Sequence, residues 1–175
     1  MEKLTAERRV NVLIADDTMY EKEYGRKAEL LSRIYDHAKK KHSLGYRLLT
    51  LCWSDGCSTV PVNGVLLASS KDKNIVGRTA DAVDHRTCGD KRRKLARKKE
   101  PEALIDLIEE AGQAGIRASY LLCDSWFPSA GLFLAVKKRG MNVISMAKKT
   151  PKRYYLYNGR QMTAMQIYAA NKKRR

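Results

Sequence analysis

Acidic residues follow two short apolar segments of the sequence, and carboxylates in such positions can hold divalent metal ions. The segment VNVLIA, residues 10–15, runs into Asp16 and Asp17. The segment YLLC, residues 120–123, runs into Asp124. If both segments are parallel neighbouring strands, about 4.8 Å apart, their carboxylates emerge at the same edge of a sheet. Hard carboxylate oxygens suit Mg²⁺ or Mn²⁺, and two such ions can stabilise the attacking and leaving oxygens of a phosphodiester.

A structural role is the alternative for each acid taken alone. Thr18 and Glu21 have the spacing of a helix capping box, and Asp124 or Ser125 precedes a helical pattern where an N-cap is expected. A single acid in such a position is more often a cap than a metal ligand. Two acids that follow two strands in the same way are harder to explain as caps.

The two adjacent acids cannot have the same role. Side chains alternate along a strand, so Asp16 and Asp17 point to opposite faces of a sheet, and Thr18 accompanies Asp16. We therefore predict that one of the two is structural. The sequence leaves open which one is the metal ligand.

The positive charge of the chain is concentrated towards its C-terminus. The 175 residues include 35 Lys and Arg against 19 Asp and Glu, a formal net charge of +16. No acidic residue follows Asp124, whereas 12 Lys and Arg do. Clustered cations favour a polyanionic partner because phosphate binding releases counterions. A hydrophobic fraction of 43% and this length indicate a globular domain with a core rather than a disordered chain.

Two basic runs, residues 90–99 and 171–175, are candidates for nucleic-acid contacts, although a charge run is often only a solvated surface. Four interleaved tyrosines could stack on unpaired bases, with core or edge-strand positions as the alternative: Tyr154, Tyr155, Tyr157 and Tyr168. A membrane-binding protein would need an amphipathic basic helix, and none is clear. The candidate nucleic-acid-binding residues are Lys91, Arg92, Arg93, Lys94, Lys148, Lys149, Lys152 and Arg153.

Cysteine and histidine positions disfavour a zinc site, because the four cysteines form no CxxC pair and the three histidines have no zinc-finger spacing. Cys52 and Cys123 lie in apolar segments and are predicted to be core residues, whereas His42 and His85 are predicted to lie at the surface. No apolar run approaches the roughly 18 residues of a membrane span, and no signal-peptide cleavage site follows Met1. We expect an intracellular, cytoplasmic protein.

The pattern of elements predicts a mixed α/β sheet. Three early strands can form an antiparallel meander, and the later strand-helix-strand units require parallel pairing through right-handed crossovers. Residues 71–99 are predicted to be a mobile connection or an exposed helical turn. The predicted strands cover residues 10–15, 46–53, 59–68, 118–123 and 141–147, and the predicted helices begin at Pro101 and after Pro128.

The C-terminal segment is set apart from this core. We predict a core over residues 1–150 and a basic segment over 151–175, which is the start of an insertion or a truncated tail. Within that segment Asn158 and Gly159 indicate a turn, and Thr163 indicates the start of a helix.

The runs VLIADDT, RLLTLCWSDGCSTVPV, LLASS and SYLLCDSWFPS, in this order, resemble the catalytic domain of DDE transposases of bacterial insertion sequences over roughly residues 10–150. The resemblance implies an RNase H-like fold and DNA transposition by divalent-metal cleavage and joining of strands. It implies that Asp16 and Asp124 are the first two catalytic acids and bind Mg²⁺ or Mn²⁺. It also implies DNA as the partner, a bacterial, nucleoid-associated location, and a homodimer within a full-length transposase.

One feature of that family is missing from the sequence. Its third acid is a Glu that follows the fifth strand, and no acid follows Asp124. Glu109 and Glu110 precede Asp124 and are predicted to lie on the solvated face of a helix. We therefore interpret the chain as a fragment, incomplete at its C-terminus, and expect little or no strand transfer from it alone. The alternatives are a non-catalytic nucleic-acid-binding remnant of a transposase and another RNase H-like nuclease.

Overall fold

The structure is a computed structural model that describes residues 9–25, 27–37, 39–79, 84–148, 150 and 152–172. Its strands are β1 (Val12–Glu21), β2 (Ser32–Asp36), β3 (Lys41–Ser54), β4 (Thr59–Leu67), β5 (Tyr120–Cys123), β6 (Asn142–Ser145), β7 (Tyr155–Tyr157) and β8 (Arg160–Met162). Its α-helices are α1 (Cys88–Ala96), α2 (Glu100–Gln113), α3 (Ala130–Lys138) and α4 (Ala164–Asn171), and a 3-10 turn covers Asp72–Asn74. None of the described helices has the length and apolar character needed to cross a membrane.

The main sheet is mixed and has six strands in the order β2-β3-β1-β5-β6, with β4 also paired to β3. β1, β3 and β4 form an antiparallel meander, whereas β5 runs parallel to both β1 and β6. The two parallel pairs are connected through helices, as the geometry of parallel strands requires. This arrangement confirms the predicted α/β class with an RNase H-like mixed sheet.

One face of the sheet packs against α2 and α3 and forms the core. Leu13 and Ala15 of β1 are almost fully buried, while Ile14 between them is only partly buried. Trp53 and Leu121 from the neighbouring strands are completely buried in the same cluster. Burying one such apolar side chain contributes about 1.5–3 kcal/mol. The odd-numbered residues of β1 therefore face the helices, and its even-numbered residues face the opposite side.

The first strand is longer than its apolar pattern predicts. β1 continues to Glu21 because β3 pairs with it along its whole length, ending at Glu21 and Gly45. Gly45 allows this close approach, since a Cβ atom there would lie 2.1 Å from the backbone oxygen of Tyr20. The predicted capping box at Thr18 and Glu21 is therefore wrong, because both residues lie within a strand.

Two further elements were not fully predicted from local patterns: β2 was not predicted, and α1 was predicted only as a mobile connection or an exposed helical turn. β2 pairs with the beginning of β3, which lengthens β3 towards its N-terminus. The stretch over residues 71–99 contains α1, which begins after Thr87, whose side-chain oxygen accepts a hydrogen bond from the Asp90 amide. Both elements are polar, and tertiary pairing stabilises them rather than an apolar period of their own.

The turn between β3 and β4 is organised by the buried carboxylate of Asp55. Its Oδ1 accepts hydrogen bonds from the amides of Cys57 at 3.0 Å and Ser58 at 2.7 Å. Its Oδ2 pairs with Nη1 of Arg9 at 2.7 Å. These hydrogen bonds, the one from Ser58 first, lower the pKa of Asp55 from 3.8 to about 2.

Replacing this carboxylate is expected to lower stability by an amount that depends on pH. Because the pKa of Asp55 is lower in the folded chain, its stabilisation is complete above pH 3.8 and is lost as the pH falls towards about 2. Asp55→Asn should therefore lower the free energy of unfolding at pH 7, and its difference from the wild type should shrink over that acid range. Urea unfolding at several pH values measures this difference.

Asp72→Asn is the matched control, because Asp72 forms an exposed ion pair with Arg97. Such surface pairs contribute only about 0–1 kcal/mol. A constant stability difference between the wild type and Asp55→Asn from pH 7 to pH 2 would contradict the role given to the Asp55 carboxylate.

The C-terminal segment forms a small hairpin and a helix outside the main sheet. β7 and β8 pair with each other through a turn in which Asn158 and Gly159 both have positive φ, 48° and 74°. A capping box between Thr163 and Gln166 begins α4. The predicted turn and helix start are thus confirmed, and α4 buries none of its residues.

Candidate active site

Asp16 lies within β1, not after it as predicted, and Asp124 directly follows β5, the parallel neighbour of β1. Ile14 pairs with Leu122 and Ala15 with Cys123, so the next position along each strand is occupied by one of the two acids. By alternation Asp16 belongs to the face of Ile14, away from the helices, whereas Asp124 begins the turn after β5; both acids are exposed. Adjacent strands lie about 4.8 Å apart, so the backbones that carry the two acids are neighbours at the C-terminal end of β5.

Among the described residues, the carboxylate of each acid accepts a hydrogen bond from the amide of the residue that follows it. Oδ1 of Asp16 accepts from the amide of Asp17 at 2.9 Å, and Oδ1 of Asp124 accepts from the amide of Ser125. Neither makes an ion pair with a residue in the described ranges. Each carboxylate therefore keeps acceptor capacity at the sheet edge.

Asp124 or Ser125 was predicted to cap the following helix, and this prediction is wrong. α3 begins later, at Ala130, and its N-cap is Ser129, whose Oγ accepts from the amide of Leu132 at 3.2 Å. The carbonyl of Asp124 instead accepts from the amide of Phe127 at 3.2 Å, in a turn that separates strand from helix. Together with the strand conformation at Thr18 and Glu21, this removes the capping explanation for both acids.

Asp17 lies on the opposite face and is engaged by Arg47. Arg47 Nη1 lies 3.0 Å from Oδ2 of Asp17, and Nε lies 2.9 Å from Oε1 of Glu100 at the start of α2. Nη2 also donates to the carbonyl of Tyr35 at 3.2 Å. Burial raises the pKa of both Asp17 and Glu100, and Arg47 opposes that shift. The predicted alternation of the two adjacent acids is therefore present. Asp17 is linked through Arg47 of β3 to β2 and to the start of α2.

The donor set at the sheet edge suits a hard divalent cation. Asp16 and Asp124 supply carboxylate oxygens, which Mg²⁺ and Mn²⁺ prefer. Across the described part of the chain, no group of three or more His, Cys, Asp or Glu side chains is arranged to hold a metal ion. Among the described residues, the site therefore offers two protein ligands to a metal ion, the carboxylates of Asp16 and Asp124.

An aromatic cluster lies beside these acids, and the sequence analysis missed it. Trp126, two residues after Asp124, is 56% exposed. The rings of His37 and Trp126 have centroids 5.0 Å apart at an angle of 37°, and Nζ of Lys148 lies 3.8 Å from the Trp126 ring centroid. Tyr35 makes edge contacts with His37 and His42. The unusual SWF run after Asp124 was the available signal, but nothing local indicated its partners.

The cations predicted to bind nucleic acid divide into those that form an ion pair within the chain and those that do not. Arg93 pairs with Glu29, and Nζ of Lys94 lies 2.7 Å from Oδ2 of Asp90, so their charges are balanced within the chain. In the described ranges, the other predicted cations make no ion pair: Lys91, Arg92, Lys148, Lys152 and Arg153. Lys149 and the basic terminus at residues 173–175 lie outside the described residues.

Several other predictions can be compared with the structure. Tyr154 and Tyr168 are exposed rather than core residues, whereas Tyr155 and Tyr157 of β7 are partly buried. Glu109 and Glu110 are confirmed on the exposed side of α2.

The two cysteines expected in the core, Cys52 and Cys123, are only partly buried. Cys52 belongs to the face without helices, and Cys123 is the last residue of β5. His42 is exposed, as predicted, and so is His85, whose Nδ1 lies 3.1 Å from Oδ1 of Asp90.

Comparison with known proteins gives one match that spans nearly the whole chain. The family described as DDE superfamily endonuclease matches residues 1–168. No curated protein sequence matches the chain significantly.

Two solved structures are similar at low sequence identity. The piggyBac transposase synaptic complex with hairpin DNA has a TM-score of 0.41 and 15% identity, over 81% of this chain and 24% of that chain. The Drosophila P element transposase strand transfer complex has a TM-score of 0.32 and 9% identity, over 92% of this chain and 34% of that chain. The chain thus spans about a quarter to a third of the length of these proteins.

Proposed function

The chain belongs to the DDE superfamily of endonucleases, and we propose that it is part of the catalytic domain of a transposase that cleaves and joins DNA strands. The observation that carries this proposal is the placement of Asp16 and Asp124. Asp16 in β1 and Asp124 directly after β5 each lie one position beyond the last paired residues of these parallel strands, and neither is a helix cap or an ion-pair partner of a described residue. The bacterial insertion-sequence origin implied by the sequence motifs belongs to the same proposal.

DDE superfamily endonucleases use divalent metal ions. We propose that Asp16 and Asp124 hold Mg²⁺ or Mn²⁺, which when bound supplies Lewis-acid stabilisation of the phosphodiester oxygens. The amides of Asp17 and Ser125 orient the two carboxylates. Ser145 Oγ lies 3.4 Å from the carbonyl of Asp124 and connects this turn to β6. Asp17 has the structural role, because Arg47 holds it on the other face of β1.

Two protein ligands hold a pair of ions weakly, so we expect little or no strand transfer from this chain alone. Incubation with supercoiled plasmid and Mg²⁺ or Mn²⁺ tests this expectation. Metal-dependent nicking that disappears in Asp16→Ala would contradict the expected inactivity while supporting the site.

The proposed substrate is DNA, whose phosphates are attracted by the formal net charge of +16. We propose residues 1–150 as the catalytic core and 151–175 as an appended basic segment. A cytoplasmic, nucleoid-associated location and a homodimer within a longer transposase follow from the same proposal. A non-catalytic DNA-binding remnant would show the same binding without any dependence on the two acids.

DNA binding is expected to weaken steeply with salt, because each neutralised phosphate contributes about −0.9 to the slope of log K against log [salt]. Lys152→Gln and Arg153→Gln should each reduce the slope by roughly one, since neither cation is paired within the described chain. Gel-shift titrations of a duplex at several salt concentrations measure the slope.

Arg93→Gln and Lys94→Gln are matched controls, because Glu29 and Asp90 already balance those charges. They should change the salt slope much less than Lys152→Gln or Arg153→Gln. Absence of salt-dependent DNA binding by the wild type would contradict the proposed function.

A further inference from the structure

One arginine connects three separate elements beside the proposed acid pair. Nη1 of Arg47, in β3, lies 3.0 Å from Oδ2 of Asp17 in β1, and its Nε lies 2.9 Å from Oε1 of Glu100 at the start of α2. Its Nη2 donates to the carbonyl of Tyr35 in β2 at 3.2 Å. Because the guanidinium is a rigid planar fork, these contacts fix a strand, a helix and a hairpin relative to one another.

The contacts of Arg47 are too well covered to count as an ordinary surface ion pair. The side chains of Arg47, Asp17 and Glu100 are only 21%, 15% and 25% exposed. Exposed ion pairs are weak because water and mobile side chains compete with them, whereas covered pairs keep one geometry. Removing one partner of a covered group leaves the other charge without compensation. We therefore infer that Arg47 holds its three partners in fixed positions.

The first proposed metal ligand lies directly beside one of these partners. Asp16 precedes Asp17 in β1, and Oδ1 of Asp16 accepts from the amide of Asp17 at 2.9 Å. The two residues share a planar peptide unit, and their side chains point to opposite faces of the strand. Anchoring Asp17 on one face therefore fixes the direction in which Asp16 leaves the other face.

The second proposed metal ligand is connected to the same hairpin by ring contacts. Tyr35, whose carbonyl accepts from Arg47, meets the ring of His37 edge-on with centroids 5.0 Å apart. His37 in turn packs against Trp126 with centroids 5.0 Å apart, and Trp126 lies two residues after Asp124. The hairpin formed by β2 and the start of β3 therefore contacts the turn that carries the second acid as well as the strand that carries the first.

We propose that Arg47 is a positioning residue that sets the relative placement of Asp16 and Asp124 for a divalent ion. This inference rests on the proposed metal site and assigns to it a residue that acts through the protein. Its contribution is geometric, because a nearby positive charge by itself repels a divalent cation. The two effects have opposite signs, so they can be separated by experiment.

Mn²⁺ affinity, measured by water-proton relaxation, tests this inference without catalysis. Arg47→Lys keeps the charge but has no planar fork to hold three partners. It should weaken Mn²⁺ binding roughly 10- to 100-fold, as does loss of a residue that orients a metal ligand. Arg47→Met should weaken binding too, although removal of a positive charge alone would strengthen it. Unchanged affinity in Arg47→Lys, or tighter binding by a folded Arg47→Met, would overturn the inference.

Two control variants separate positioning from a general loss of stability. Arg33→Lys makes the same change at an exposed position of β2, where the arginine forms no ion pair with a described residue, and should leave the affinity unchanged. Glu100→Gln keeps an acceptor for Nε of Arg47 and should have little effect. Circular dichroism establishes that each variant is folded. A loss of affinity in Arg33→Lys as large as that in Arg47→Lys would contradict a specific role for Arg47.

Acrylamide quenching of tryptophan fluorescence tests the connection to the Asp124 turn independently of any metal. Of the two tryptophans, Trp53 is completely buried and Trp126 is 56% exposed, so Trp126 dominates the quenching. Release of the hairpin in Arg47→Lys should loosen the contact with His37 and increase the quenching, whereas Arg33→Lys should match the wild type. Equal quenching in all three proteins would show that Arg47 does not act on the turn that carries Asp124.

The outcomes separate this inference from the proposed function. Mn²⁺ binding by the wild type that is unaltered in Arg47→Lys overturns the positioning role and leaves the proposed function standing. Failure of the wild type to bind Mn²⁺ contradicts the proposed metal site itself, and the positioning role with it.

Discussion

Asp16→Asn and Asp124→Asn are each expected to weaken Mn²⁺ binding at least roughly a hundredfold, since loss of even an outer partner of a metal ligand costs about 10–100-fold. Asn keeps the size of the side chain and its acceptor for the neighbouring amide, so the variants remove charge without disturbing the strand ends. Asp17→Asn should change the affinity less than about threefold, because its carboxylate lies on the helix-covered face with Arg47.

Water-proton relaxation in the presence of Mn²⁺ measures this affinity without requiring catalysis. Asp16→Asn and Asp17→Asn form a matched pair, since they remove the same charge from adjacent positions of one strand. The reverse result, with binding retained in Asp16→Asn and lost in Asp17→Asn, would show that the proposal chose the wrong acid. Retention of binding in all three variants would exclude a metal site at this sheet edge.

Trp53→Ala is expected to lower the free energy of unfolding by about 3–5 kcal/mol. Trp53 is completely buried between the sheet and α2, and its Nε1 donates to the carbonyl of Arg117 at 3.3 Å. The substitution leaves a cavity and an unsatisfied carbonyl. For a chain of this size the loss corresponds to a decrease of about 6–20 °C in the midpoint of thermal unfolding.

Trp126→Ala is the control for this experiment, because it removes the same indole from an exposed position and should lower stability by less than about 1 kcal/mol. Urea unfolding of both variants, followed by circular dichroism, compares them on one scale. Similar stabilities for Trp53→Ala and Trp126→Ala would contradict the assignment of Trp53 to the core.

Local patterns in the sequence were sufficient for most of the core elements. The apolar runs that became β3, β4, β5 and β6 carry enough β-branched and aliphatic residues to be identified without tertiary information. β1 was identified too, but its second half is polar and is a strand only because β3 pairs with it. Its end therefore could not be predicted from its own residues.

The same distinction applies to the helices. α2 has an apolar face that recurs at helical spacing, with Leu104, Leu107 and Ile108 buried against the sheet. α1 is too polar for such a pattern, and although Lys94 pairs with Asp90 within the helix, Arg93 pairs with the distant Glu29. The start of α3 after Pro128 was predicted, but its cap was not, because Asp124 and Ser125 are also acceptable cap types and only backbone geometry selects Ser129.

For the candidate site, the sequence by itself indicated that Asp16 and Asp124 come together if their strands are parallel neighbours, and the structure supplied that pairing while placing Asp16 inside β1 rather than after it. The sequence also determined that two adjacent acids on β1 cannot share a face. Only the tertiary structure showed that Asp17 is the acid that pairs with Arg47, which also pairs with Glu100. Only the tertiary structure showed that Trp126 contacts His37 and Lys148. The physical reason is that strand alternation and crossover handedness are local rules of the backbone, whereas partners far apart in sequence are chosen by the packing of the whole sheet.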